Sequence, residues 1–94
     1  MRLGINTSFA IKRWPEPQVW LDLVQQRLGL DLIQFSTDQL SPYPFTSEVR
    51  RCAQRIRRAA EERRITIHSV QVGLAYYTFN GLLDPDPDIR QTYL

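Results

Sequence analysis

The sequence is poor in the residues that make metal knuckles, disulfides and phosphate loops. It has one cysteine, one histidine, one lysine and four glycines among 94 residues. A lone Cys52 excludes an internal disulfide and any zinc site of clustered cysteines, and suits a reducing compartment. The glycines are scattered, and Asn6-Thr7-Ser8-Phe9 stands where a dinucleotide-binding fold carries its GxGxxG turn. No apolar run reaches the roughly 18 residues of a membrane span. The stretch Met1–Asn6 also lacks the apolar core of a secretion signal. The expectation is a soluble, cytoplasmic protein. Neither sign of charge dominates: 12 basic residues face 10 acidic ones, for a net +2. A small net charge of this kind does not mark a nucleic-acid binder.

What is present is a globular composition, 43% hydrophobic and 11% aromatic. Arg2–Thr7 predicts a short strand. Trp14-Pro15-Glu16-Pro17 then sets up a helix, with proline tolerated in the first turn. Its apolar face is Trp20, Leu23, Val24 and Leu28, and Gly29 is its C-terminal cap. Residues 30–36 (LDLIQFS) are nearly continuous in apolar character, as in a strand covered on both faces. Thr46 is the N-cap of a second helix running to about Arg63, with Glu48 in its first turn. Val49, Cys52, Ala53, Ile56, Ala59 and Ala60 make its apolar stripe. A β-branched strand follows at residues 65–71 (ITIHSVQ). A long loop at 72–84 leads to a third helix with Asp86 as N-cap and Pro87 at its first position.

Strands alternating with amphipathic helices give an α/β fold of parallel βαβ units. Three strands leave two open edges, and a closed (β/α)8 TIM barrel needs about 250 residues. The expectation is therefore a single partial domain over 1–94: the N-terminal β-α-β-α-β-(α) segment of a TIM barrel. A complete small α/β domain that pairs its edges by association is the alternative, and open edges favour homo-oligomers in either case.

Barrel sites form at the carboxyl ends of the strands. Asn6, Gln34 and His68 fall there, and alternation places Gly4/Asn6, Leu32/Gln34 and Thr66/His68 toward the barrel interior. Amides bond sugar hydroxyls, and histidine carries a proton or ligates a metal. Each also has an ordinary structural use: a strand-end amide caps backbone groups and a lone histidine packs in a core. Phe9 and Trp14 in the first loop, and Tyr76, Tyr77 and Phe79 in the third, are candidate pocket walls. The arginines of the second helix (Arg50, Arg51, Arg55, Arg57, Arg58, Arg63, Arg64) are interspersed with glutamates. Arg57–Glu61 and Arg58–Glu62 are spaced as i,i+4 pairs, which favours a solvated outer face over a nucleic-acid stripe. Neither a complete catalytic set nor a carboxylate pair placed for acid/base work is present.

The opening RLGINTSFAIKRWPEP, the strand GLDLIQFS and the segment ITIHSVQVGLAYYTFNGLL resemble the start of sugar-phosphate isomerase/epimerase proteins. These belong to the xylose isomerase-like TIM barrel superfamily, which also holds the apurinic endonucleases. The resemblance covers the first three of eight βα units. It implies an isomerase or epimerase moving a proton next to a carbonyl. It also implies a divalent metal (Mn, Mg, Co or Zn) whose ligands lie mostly beyond Leu94, and a small sugar or sugar-phosphate substrate. Asn6, Phe9, Gln34, His68 and Tyr76, placed at strand ends and in loops, are the substrate-binding candidates, and the resemblance puts His68 at a position that lines the substrate pocket. His68 becomes a metal ligand only on an endonuclease-like reading. Gln34 departs from the glutamate that many relatives carry at that position. An apurinic endonuclease-like repair enzyme and a non-catalytic α/β interaction domain are the alternatives. The segment alone is expected to be inactive.

Overall fold

The computed structural model describes residues 1–42, 45–72, 81–92 and 94. Three strands run parallel in the order β1 (Ile5–Asn6), β2 (Leu32–Ser36), β3 (Thr66–Gln71). The crossovers carry α1 (Pro17–Asp22) and α2 (Ser47–Glu62), and α3 (Pro87–Thr92) follows β3. This is the alternation expected from the sequence, an α/β segment of a (β/α) barrel.

The core lies between the sheet and the two helices. Trp20, Leu21 and Val24 from the first helix meet Ile33 of β2, Ala59 and Ala60 of α2, and Ile65 before β3. Trp20 and Phe35 lie with ring centroids 6.4 Å apart. Covering β2 from this side explains its apolar run. Its other side, with Leu32 and Gln34, is the inner wall of the barrel.

The sequence-predicted caps form. Thr46 accepts the Val49 N–H at 3.2 Å. Glu48 sits in the first turn of α2, its carboxyl held below the ordinary range first by its own backbone N–H, then by Ser47 and Thr46. Asp86 accepts the Asp88 N–H at 2.8 Å, with Pro87 opening α3. α2 ends in a Schellman motif: the Ile65 N–H bonds the Ala60 carbonyl and the Arg64 N–H bonds the Glu61 carbonyl. Arg64 occupies the left-handed position that glycine usually fills, at φ 55°.

Four local expectations change. β1 pairs only over Ile5–Asn6, because Thr7 turns into a 3-10 turn (Thr7–Ala10) and its buried hydroxyl takes the Ser36 N–H at 2.9 Å. The first helix continues as a π turn over Leu23–Arg27. The extra residue rotates the face, so Leu21 is buried while Leu28 is 48% exposed. Gly29 still caps it at φ 64°, with the Leu30 N–H reaching back to Val24. Along α2 the stripe is buried at Ala59 and Ala60, half-buried at Val49, Cys52 and Ile56, and exposed at Ala53.

The arginines of α2 also divide. Arg57 pairs with Glu61 at 3.0 Å and Arg55 reaches Glu16 at 3.1 Å, both on the exposed surface. Glu62 lies 3.7 Å from Arg63 rather than pairing with Arg58. Arg63 does not belong to the solvated face. Its Nε donates to Asp22 at 2.7 Å and its Nη1 to the Ala59 carbonyl at 3.0 Å, while its own carbonyl accepts from Gln25 Nε2 at 3.0 Å. The Asp22 bond raises the guanidinium pKa further above its ordinary value. This clasp joins the end of α2 to the first helix.

Candidate functional site

The inner wall is set by register. Ile5 faces Ile33 and Asn6 faces Gln34 across β1 and β2. Gly4 makes this approach possible: a Cβ there would lie 2.6 Å from the Leu32 carbonyl oxygen. Between β2 and β3 the ladder slips. Ile33 pairs with Ile67, but Gln34 pairs with Ser69, so His68 is the extra residue of a β-bulge. Strict alternation is broken here by one residue, yet His68 still lies on the same side as Asn6 and Gln34. A bulge re-aims side chains, and His68 and its neighbour Ser69 both line the same pocket.

That pocket is open, about 300 Å³, and lined by Gly4, Ile5, Asn6, Leu32, Ile33, Gln34, His68 and Ser69. Its polar groups form a chain. Asn6 Oδ1 accepts the Ser8 N–H at 2.7 Å, an N-cap for the 3-10 turn. The Asn6 amide nitrogen donates to Gln34 Oε1 at 2.9 Å and to Gln71 Oε1 at 2.5 Å. Gln34 Nε2 in turn donates to Ser69 Oγ at 3.1 Å. Asn6 is thus both a cap for the 3-10 turn and a link between the strands.

Of the residues singled out in the sequence, Asn6, Gln34 and His68 come together. Phe9 does not join them. It packs on Trp14, with centroids 6.3 Å apart, and lines a separate apolar pocket of about 380 Å³ with Trp14, Leu23, Arg27 and Leu28. Tyr76, with Tyr77 and Phe79, lies outside the described residues. Ser69 and Gln71 were not singled out. Their membership depends on the bulge, which no spacing in the sequence announces.

His68 is exposed. Among the described residues no group of three or more His, Cys, Asp or Glu is placed to hold a metal ion. The inner wall therefore does not fit a metal centre by itself. Among the described residues, no helix is long and apolar enough to cross a membrane.

No protein-family model matches the sequence, and no curated protein matches it. A solved structure does: a putative xylose isomerase from Rhodospirillum rubrum, 36% identical, with a TM-score of 0.87 over 99% of this chain. The chain folds as part of a xylose isomerase-like barrel. It spans 31% of the length of that structure. Parallel barrels bind substrates at the carboxyl ends of their strands; Asn6 ends β1, whereas Gly4 and Leu32 of the same pocket lie at the amino ends of β1 and β2.

Proposed function

We propose that the chain supplies one wall of the active site of a sugar or sugar-phosphate isomerase or epimerase, which moves a proton next to a carbonyl. The observation that carries this reading is the convergence of Asn6, Gln34, His68 and Ser69 on one open pocket of parallel strands. The likeness to a putative xylose isomerase supports sugar as the substrate class. The wall is suited to binding and orientation. Its amides and hydroxyl match the oxygens of a polyhydroxy substrate, and the His68 ring can hydrogen-bond one of them. The pocket lining has no carboxylate, so the principal base and the ligands of any divalent metal belong to other strands of the barrel.

The test uses the complete barrel enzyme in deuterated water with pentoses, hexoses and their phosphates. Deuterium should enter at the carbon beside the carbonyl. His68→Ala should lower kcat/KM at least tenfold while the circular dichroism spectrum is unchanged. If no substrate acquires deuterium, the isomerase reading is wrong.

A further inference from the structure

The hydrogen-bond chain in the pocket has a direction, and a backbone group fixes it. The Ser8 N–H can only donate, so Asn6 must turn its carbonyl oxygen toward it. The Asn6 amide nitrogen then faces β2 and β3 and uses both of its hydrogens, on Gln34 Oε1 and Gln71 Oε1. Each glutamine must accordingly present its oxygen to Asn6 and its nitrogen away from it. Gln34 spends one hydrogen on Ser69 Oγ. Amide orientations are usually ambiguous, but here one rigid donor at the start of the chain settles all three.

The free hydrogens therefore lie on the groups turned away from Asn6. Every oxygen in the chain already accepts one hydrogen and keeps one lone pair. The second hydrogen on Gln34 Nε2, both on Gln71 Nε2 and the Ser69 hydroxyl proton have no partner among the described residues. Gln34 and Gln71 are exposed, and Gln34 and Ser69 line the open pocket.

We propose that Gln34, Ser69 and Gln71 form a row of donors that binds a strongly accepting substrate oxygen: a carbonyl, carboxylate or phosphate oxygen. The proposal rests on the sugar-directed reading for its ligand class and deepens it. This wall would grip the carbonyl or acidic end of the substrate through those unused hydrogens. Gln34 is then a specificity-determining residue. A carboxylate there would replace a donor by an acceptor and reverse the row.

The experiment follows the side-chain amide resonances of Gln34 and Gln71 in the isotope-labelled complete enzyme. Inorganic phosphate, acetate and dihydroxyacetone serve as probes, with glycerol as the hydroxyl-only comparison. At least one acceptor probe should shift both amides saturably, and glycerol should bind at least tenfold more weakly. Which of the three probes acts distinguishes phosphate, carboxylate and carbonyl as the source. Gln71→Met, which removes the donor without adding charge, should weaken the active probe at least fivefold, and Ser69→Ala should do so independently. No saturable shift with any probe, equal binding of glycerol, or indifference to both variants overturns the proposal. Deuterium exchange into sugars tests the isomerase reading separately, so either idea can fail while the other stands.

Discussion

Asn6 and Gln34 sit opposite each other in the β1–β2 register, and their side-chain amides are bonded at 2.9 Å. One residue thus closes a turn on its own strand and orients the polar wall of the next. Asn6→Asp separates the two duties. A carboxylate still accepts the Ser8 N–H but cannot donate to Gln34 and Gln71. Stability should fall by less than about 1 kcal/mol, while the Gln34 and Gln71 amide resonances move. Asn6→Ala, which loses the cap as well, should cost about 1–2 kcal/mol. Denaturant titration beside amide spectra checks both, and indistinguishable variants would contradict the double role.

Gly4 is required for space. With a methyl group 2.6 Å from the Leu32 carbonyl oxygen, β1 and β2 must move apart. Gly4→Ala should destabilise by roughly 1–3 kcal/mol and loosen the Asn6–Gln34 bond. A thermal midpoint equal to that of the parent would show that the strands can yield.

Arg64 offers the opposite case. Its left-handed backbone at φ 55° ends α2 where glycine is the usual choice. Arg64→Gly should raise stability by about 0.5–1 kcal/mol, the relief at the helix end exceeding the added freedom of the unfolded chain. Arg64→Val should lower it. A drop with glycine would mean that the exposed arginine makes an energetic contribution of its own.

In the Arg63–Asp22 clasp the arginine is largely sheltered, at 16% side-chain exposure against 43% for Asp22. Asp22→Ala strands a partly buried guanidinium and should cost about 1–3 kcal/mol. The exposed pair Arg57–Glu61 should be worth under about 1 kcal/mol. A double-mutant cycle on each pair measures the difference, and equal coupling would refute the distinction.

Much of the fold was legible because it is written locally. Thr46, Gly29 and Asp86-Pro87 mark helix ends by chemistry that acts within one turn, and Ile33 and Phe35 of β2 mark the face that packs on the helices. Asn6 and Gln34 were legible as strand-end amides. What escaped depends on a single residue of slippage. The π turn at Leu23–Arg27 moved Leu28 off the buried face, and the bulge at His68 brought Ser69 and Gln71 to the wall. Such insertions leave the apolar pattern nearly intact, because they change phase rather than composition. Arg63 was hidden for another reason. Its neighbours in sequence are solvated arginines, and only the docking of α2 against the first helix sets it apart.

The bulge also makes β3 a strand read in two frames. In an unbroken strand, consecutive residues cannot serve the same side. Here histidine and serine stand side by side on one wall, with a glutamine two places further on. Shortening the strand by one residue at 68 would thus do more than delete an imidazole. It would restore strict alternation, so that chemistry now held by three neighbours would be rationed to every other position.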